Sequence, residues 1–180
     1  MILGCFHKSF AMIALSAIIS CSGCVKTVSN DPASTADAAV FVIVRHAEKA
    51  ADDSKDPTLS EAGRARAERL AQRLDSQRMT AVYATSYRRT QQTAAPTAQT
   101  HHLEIRTYDA GMPAADFAAR LRSEHSAGSV LVVGHSNTVA TIAGALCGCA
   151  VTPLREGEYD RWTAITVRRS GVVKLEESRY

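Results

Sequence analysis

The chain has 180 residues, 46% of them hydrophobic and 22% charged, with 21 basic and 18 acidic residues and a formal net charge of +3. These values fit one globular domain with an ordinary hydrophobic core. The charges are too evenly balanced to argue for a nucleic-acid partner, and none is predicted.

The first 20 residues differ from the rest of the chain. They carry one formal charge, at Lys8, followed by an apolar run from Phe10 to Ile19. This run is too short to span a bilayer as a helix and has the anatomy of a secretory signal. Residues 1–20 are therefore predicted to be a signal peptide, whose removal leaves 20 basic and 18 acidic residues, a net charge of +2.

The segment Ile18-Ile19-Ser20-Cys21 resembles the lipobox of bacterial lipoproteins, which would make Cys21 the lipidated first residue of the mature chain. Several acyl chains on one residue hold a protein at a membrane more durably than a single chain does. In lipoproteins a non-acidic residue such as Ser22 after the cysteine implies the outer membrane, with the domain on its periplasmic side. Ordinary secretion with cleavage near Gly23 is the alternative. The polar segment 21–37 is predicted to be a flexible tether.

The first predicted strand is Val40 to Val44, an unbroken apolar run typical of a strand buried on both faces. A polar loop follows, and Ser60 is predicted to cap a helix with one apolar stripe. The stripe consists of Gly63, Ala67, Leu70, Ala71 and Leu74.

Strands and helices continue to alternate after this helix. Thr80–Thr85 is predicted to be a strand, followed by a helix from about Tyr87 that Pro96 bends or ends. A short strand at 104–107 and a helix beginning at Pro113 come next. The last predicted elements are an apolar strand at 130–133, a helix over 138–147 that closes on Gly148, and a hairpin with strands at 162–167 and 172–175.

This alternation, without an internal repeat, predicts a single α/β domain over residues 38–180. We expect a three-layer α/β/α sandwich built on a largely parallel sheet. His101, His102 and His125 follow helical segments and are predicted to be solvated.

Histidines follow both wholly apolar strands, His46 after the first and His135 after the second. The carboxyl ends of parallel strands meet at one edge of a sheet, where ligands bind, so the two imidazoles are expected to converge. Arg45 lies beside them, and Arg89 comes from the first turn of a helix. Guanidinium groups match phosphate oxygens, and a neutral imidazole is a nucleophile toward phosphorus. The set predicts phosphoryl transfer through a phosphohistidine.

Four segments in order resemble the signatures of the histidine phosphatase superfamily, the phosphoglycerate-mutase-like proteins. They are Arg45 to Lys49, Leu59 to Gly63, Ser86 to Ala94, and Gly134 to Thr138. Each alone is a weak signal, whereas four in order are a strong one. The resemblance covers roughly residue 38 to the C-terminus and implies the phosphoglycerate-mutase-like fold.

The resemblance makes His46 the nucleophile, Arg45 and Arg89 the phosphate clamp, and His135 a second phosphate ligand that stabilises the transferring group. Arg89 is preferred to its neighbour Arg88 because the family spacing selects it. The implied reaction is hydrolysis of a small phosphorylated substrate. No cofactor is expected, because the arginines and histidines already supply the positive field.

Other ligand sites are less favoured by the sequence. Asn137, together with Ser136, is assigned to hydrogen bonds near the phosphate. No metal is predicted, although His46, Glu48 and His135 could be read as an incomplete zinc set. Cys147-Gly148-Cys149 could bind a metal, but packing or a local disulfide is preferred.

The proton donor for the leaving group is the point at which the chain departs most from the family. Larger members place a Glu or Asp between the second arginine and the second histidine, and Asp109 is the preferred candidate, with Glu48 and Glu104 as alternatives. Without a donor, substrates with good leaving groups, such as phosphohistidine, would be favoured. Mutase activity is disfavoured because the 45 residues between Arg89 and His135 leave little room for a lid.

Two classes of function remain open from the sequence. The favoured one is a membrane-tethered phosphatase of the small single-domain branch, acting on a phosphomonoester or, alternatively, on protein phosphohistidine. The other is a non-catalytic lipoprotein that binds a phosphorylated ligand in the same pocket.

Overall fold

The computed structural model describes Met1 and residues 38–180. Apart from Met1, the predicted signal peptide lies outside the described residues, as do Cys21 and the tether over 21–37. The elements are β1 (Ala38–Arg45), α1 (Glu61–Leu74), β2 (Met79–Ala84), α2 (Arg88–Thr100), β3 (Ile105–Thr107), α3 (Ala114–Glu124), β4 (Gly128–Gly134), α4 (Val139–Cys147), β5 (Arg161–Arg168) and β6 (Val173–Arg179).

The strands of residues 38–180 form one sheet in the order β3-β2-β4-β1-β5-β6. The pairs β1–β4, β2–β4 and β2–β3 are parallel, whereas β1–β5 and β5–β6 are antiparallel. The sheet is therefore mixed, and the prediction of a largely parallel sheet was wrong in this respect. The predicted terminal hairpin accounts for the β5–β6 pair, because its tight turn through Gly171 (φ 83°) forces antiparallel pairing, whereas the antiparallel β1–β5 pair arises from the direction in which β5 meets β1.

Helices cover both faces of the sheet, as the three-layer prediction requires. On one face, α1 and α2 bury Leu70, Leu74 and Ala94 against Val42 and Val44 of β1. On the other face, α3 and α4 pack against the alternate side chains of β1 and β4. This explains why β1 is apolar without polar alternation. Its side chains point alternately to the two faces of the sheet, and each face is covered by its own hydrophobic core.

Ser60 caps α1 as predicted, since its hydroxyl accepts a hydrogen bond from Gly63 N at 3.1 Å. The predicted stripe is buried along the whole helix. Gly63 is required for a separate reason. A Cβ at this position would lie 2.2 Å from the Glu48 carbonyl oxygen, so only glycine lets α1 approach the segment after His46 this closely.

Of the two alternatives predicted for Pro96, a bend or the end of the helix, the second is wrong, because α2 continues to Thr100. One further local prediction needs correction. His125, predicted to be solvated, is only 8% exposed, and its Nε2 lies 3.0 Å from the buried hydroxyl of Tyr83. The sequence pattern could not show this contact, because Tyr83 reaches His125 from a strand that is distant in sequence.

The cysteine pair after α4 is bonded, with Cys147 and Cys149 forming a disulfide around Gly148. Gly148 has a left-handed φ of 64° and caps the helix, as predicted. Of the two structural interpretations left open, packing and a local disulfide, the second is the one observed. No helix among the described residues is long and apolar enough to cross a bilayer.

Candidate active site

His46 lies immediately beyond β1 and is held on both sides. Its backbone N–H donates to the Gly134 carbonyl at 2.9 Å, which extends the parallel β1–β4 pairing past the strand end. Its ring Nδ1 lies 2.8 Å from the Ala47 carbonyl oxygen. A carbonyl only accepts, so Nδ1 carries the proton and donates it. The lone pair of the neutral ring is therefore on Nε2.

His135 follows β4 and faces His46, with 5.5 Å between the two ring centroids. The expected convergence of the two imidazoles is thus present. His135 Nε2 lies 3.1 Å from the hydroxyl of Thr85, a buried residue just beyond β2. The Thr85 hydroxyl also lies 2.8 Å from the Thr90 hydroxyl, which itself donates to the Tyr87 carbonyl at 2.7 Å. Thr85 thus contacts both Thr90 and His135 and holds the His135 ring in place.

Arg45, the last residue of β1, is 3% exposed and has several backbone partners. Its Nη1 donates to the carbonyl oxygens of Arg155 (3.3 Å), Glu156 and Glu158 (3.4 Å) in the loop before β5. Its guanidinium carbon lies 4.2 Å from the ring centroid of Tyr159. The arginine therefore fixes this loop at the rim of the site.

Arg89 lies in the first turn of α2, and its guanidinium, like that of Arg45, lies against a tyrosine ring. Its guanidinium carbon lies 4.2 Å from the ring centroid of Tyr87, and its Nη1 is 3.5 Å from an Asp56 carboxylate oxygen. The same Asp56 oxygen accepts from Arg88 N at 2.9 Å and so serves the start of a helix whose N-cap, Tyr87, has no side-chain cap. Asp56 thereby helps to fix where Arg89 enters the site.

Thr93 connects the helix bearing Arg89 to the loop bearing His46. Its hydroxyl donates to the Arg89 carbonyl at 2.7 Å and accepts from Ala47 N at 2.9 Å. One buried side chain thus sets the spacing between the histidine loop and the arginine helix.

The electrostatic state of the site favours an anion. Burial lowers the pKa of His46 to about 3, and the hydrogen bond to Ala47 opposes this only partly. Burial, followed by the charge of Arg89, lowers the pKa of His135 to about 4. Both imidazoles are therefore neutral at pH 7 while the guanidinium groups stay charged.

Two buried donors in the site lack partners. Neither Arg45 Nε nor Arg89 Nε has a hydrogen-bond partner among residues 38–180. A buried N–H without an acceptor is costly, so an oxyanion that accepts from these groups is stabilised by their presence.

The residues predicted to bind the phosphate line one cavity of about 340 Å³. Among the described residues its lining is Arg45, His46, Lys49, Tyr87, Arg89, Ala110, His135, Ser136, Asn137, Thr138 and Glu156. Asn137 and Ser136 thus lie where the sequence analysis expected them. Arg88 is exposed and is not part of the lining, in agreement with the preference for Arg89.

The predicted proton donors are not brought into this cavity. Asp109 is exposed, is absent from the lining within residues 38–180, and accepts a hydrogen bond from Gly111 N at 2.8 Å. Glu104 is also exposed. Glu48 turns to Arg66, with contacts of 2.6 to 3.0 Å. Partial burial opposes ionisation of Glu48, but the hydrogen bonds and charge of Arg66 keep its pKa below the ordinary value. None of these three carboxylates is placed to protonate a leaving group.

Several residues of the site escaped the sequence analysis. Thr85, Tyr87 and Thr93 lie inside or beside a recognised motif, so their roles could have been suspected from position alone. Tyr159 and Glu156 belong to the loop before β5, which has no motif, and only the fold brings that loop to Arg45.

No group of three His, Cys, Asp or Glu side chains within the described part of the chain is arranged to hold a metal ion. The incomplete set of His46, Glu48 and His135 is not assembled, since Glu48 is committed to Arg66.

The family Histidine phosphatase superfamily (branch 1) matches residues 41–112, a region that contains His46 and Arg89 but not His135. No curated protein matches the chain. The matched region is 72 of the 180 residues.

Solved structures share the fold. The protein histidine phosphatase SixA complexed with tungstate is 21% identical, with 78% of this chain and 96% of that chain covered and a TM-score of 0.62. A mycobacterial glucosyl-3-phosphoglycerate phosphatase is 15% identical, with coverages of 79% and 98% and a TM-score of 0.62. A phosphoserine phosphatase from Entamoeba histolytica, in complex with 3-phosphoglyceric acid, is 14% identical, with coverages of 79% and 97% and a TM-score of 0.61.

Proposed function

We propose that the protein is a metal-independent phosphatase that hydrolyses a small phosphorylated substrate through a phosphohistidine on His46. One observation carries the proposal. Two neutral histidines, the buried Arg45 and the half-buried Arg89 line a single cavity, and each arginine has a buried Nε–H without a partner among the described residues. Phosphate oxygens are the acceptors that such donors match best.

In the first half-reaction, the lone pair on His46 Nε2 attacks phosphorus. The N–P bond forms and the bond between phosphorus and the leaving group breaks. The negative charge that develops on the equatorial oxygens is stabilised by Arg45, Arg89 and His135. The Ala47 carbonyl accepts from His46 Nδ1–H and stabilises the ring as it gains positive charge.

In the second half-reaction, water attacks the phosphohistidine from the side that the leaving group has vacated. The P–O bond forms, the N–P bond breaks, and inorganic phosphate leaves with His46 neutral again. The same donors stabilise this transition state, because the charge on the phosphoryl oxygens is the same in both steps.

The structural neighbours agree with this reaction. They are phosphatases named for different substrates, and what these substrates have in common is the phosphoryl group. The SixA neighbour holds tungstate, a tetrahedral oxyanion.

The test is hydrolysis of an aryl phosphate by the wild type, by His46→Ala and by a matched control, His102→Asn. His102 is exposed and has a φ of 53°, which asparagine adopts readily. We expect His46→Ala to lose about 10³-fold or more in kcat/KM and the control to stay near the wild type. An acid-labile phosphate should be trapped on the wild type and on the control only.

A chelator should leave the activity unchanged. Loss of activity in the presence of the chelator would restore the metal hypothesis. An inactive wild type that still binds phosphate would instead identify a non-catalytic binding protein.

Protein phosphohistidine is the second candidate substrate. The likeness to a structure named as a protein histidine phosphatase, 96% of which is covered, favours it. Comparison of a phosphohistidine peptide with a phosphoserine peptide tests the choice, since a preference of tenfold or more in kcat/KM for either peptide assigns the class.

We also propose that the domain is lipid-anchored through Cys21 on the periplasmic side of a bacterial membrane. The lipobox-like segment before Cys21 and the apolar run from Phe10 to Ile19 support this proposal. Wild type expressed in a Gram-negative host should partition into detergent and incorporate labelled palmitate, whereas Cys21→Ser should do neither. Palmitate labelling of Cys21→Ser would contradict the proposal.

A further inference from the structure

The site as derived so far has no group that hands a proton to the leaving oxygen. Within the described part of the chain, the cavity lining contains one carboxylate, that of Glu156. Its Oε1 lies 3.6 Å from Nη2 of Arg45, and its side chain is 89% exposed. The carboxylate is thus tied to the edge of the phosphate site and is also open to solvent.

The backbone that carries Glu156 is fixed to the site independently of the carboxylate. Arg45 Nη1 binds the carbonyl oxygens of Arg155, Glu156 and Glu158, and Tyr159 stacks on the same guanidinium. Tyr159 also reaches His46, with 6.0 Å between the ring centroids. The side chain of Glu156 can therefore move while its attachment point stays beside the reacting groups.

The charge balance of the site changes when substrate binds. In the free protein the Glu156 carboxylate is an anion beside Arg45. A phosphoryl dianion competes for the same guanidinium, so substrate binding frees the Glu156 side chain from Arg45, and the exposure of that side chain lets it exchange a proton with solvent.

We propose that Glu156 is the catalytic acid and base of this phosphatase, an inference that rests on the proposed function. As the bond between phosphorus and the leaving oxygen breaks, the Glu156 O–H proton passes to that oxygen, which gives the alcohol and the carboxylate. The carboxylate then takes a proton from the water that attacks the phosphohistidine. This restores protonated Glu156 and neutral His46 and releases inorganic phosphate.

This assignment differs in chain order from the pattern of the larger family members. There the donor lies between the second arginine and the second histidine, whereas Glu156 follows His135 and α4. The difference follows from the geometry, because in this fold the loop before β5 is held on Arg45, and the segment with Asp109 points its carboxylate at its own backbone.

The experiment compares two substrates that differ in their need for a proton. An aryl phosphate with a nitrophenolate leaving group departs without protonation, whereas an alkyl phosphate does not. The quantity compared is kcat/KM, because it covers only the steps up to loss of the leaving group and not the second half-reaction that both substrates share. We expect Glu156→Gln to lose about 100-fold in kcat/KM on the alkyl phosphate and less than about threefold on the aryl phosphate. Glu68→Gln, the same change at an exposed position of α1, should match the wild type on both.

Each other outcome overturns the proposal in a different way. Equal losses on both substrates would give Glu156 a structural or binding role, and loss in Asp109→Asn alone would return the role to Asp109. A wild type active on the aryl but not on the alkyl phosphate would mean that no donor operates. A wild type inactive on the aryl phosphate would remove the proposed function itself.

Discussion

Arg45 has one role in the fold and another in the proposed phosphate site, and experiments can separate the two. Its Nη1 fixes the carbonyl oxygens of the loop before β5, while its Nε–H has no partner among residues 38–180. Arg89 has only one polar side-chain contact there, the 3.5 Å approach to Asp56. The two arginines therefore share a chemical role but differ in how much of the fold depends on them.

Arg45→Lys and Arg89→Lys should reveal this difference. Both variants keep the charge but lose the planar fork, so we expect kcat/KM to fall by about 10²-fold to 10³-fold in each. Only Arg45→Lys should also lower the melting temperature by several degrees, because it leaves backbone carbonyls near Tyr159 without their donor. Calorimetry together with kinetics checks this, and equal stability of the two variants would contradict the role of Arg45 in the fold.

Thr85 is inferred to position His135 through the 3.1 Å contact to Nε2. Thr85→Val keeps the shape of the buried side chain and removes the hydroxyl, so we expect about a tenfold loss of kcat with little change in KM. Thr85→Ser should recover most of the rate. Nitrogen chemical shifts of His135 should report a changed tautomer in Thr85→Val only. A loss that Thr85→Ser does not recover would point to packing instead.

At the level of helices and strands, the sequence predicts those features that depend on neighbouring residues. The Ser60 cap, the buried stripe of α1 and the glycine end of α4 at Gly148 are found where they are predicted. The orientation of β5 depends on which edge strand it meets, and the burial of His125 depends on Tyr83 of another element. Neither relation is encoded within a window of neighbouring residues.

Gly63→Ala tests the close approach of α1 to the segment after His46. Helix propensity alone would make this change stabilising by about 1 kcal/mol. The 2.2 Å approach of the new Cβ to the Glu48 carbonyl opposes it, and overpacking of this kind costs about 1 to 3 kcal/mol. We expect the melting temperature to fall, and a rise would show that α1 shifts without cost. Phosphatase activity should fall with it, because Glu48 lies two residues from His46.

At the scale of the whole molecule, the site is constructed from both halves of the sheet. The parallel pairing of β1 with β4 brings His46 and His135 together, and the antiparallel β5 brings the loop with Tyr159 onto Arg45. Folding therefore buries two imidazoles between positive groups, which links the stability of the domain to pH.

The folded pKa values of His46 and His135, about 3 and about 4, lie below the ordinary 6.5 of the unfolded chain. The unfolded state then binds more protons as the pH falls below 6.5, so the stability decreases over this range and levels off near the folded values. His46 contributes a loss of about 2 kcal/mol between pH 7 and pH 5, and His135, which is more exposed to solvent, contributes a smaller loss in the same direction.

Denaturant unfolding at pH 7 and at pH 5 measures this loss. His46→Gln cannot titrate and should lose about 2 kcal/mol less than the wild type between the two pH values. An unchanged pH dependence in His46→Gln would mean that folding does not lower the pKa of His46.

The sequence by itself determined the elements and the residues able to do phosphate chemistry, because apolar periodicity, caps and short motifs act through neighbouring residues. It therefore predicted β1, α1 and β4 and the set of His46, His135, Arg45 and Arg89.

Only the tertiary structure decided which residue with a carboxylate lines the cavity. Asp109 had the expected place in the chain order, yet it lies outside the cavity lining of the described residues, while Glu156 lies within it. The physical reason is that the loop before β5 has no motif and is positioned by the guanidinium of Arg45, which it covers. The hydrogen bond from Arg45 to the Glu156 carbonyl joins two residues that are 111 positions apart in the chain.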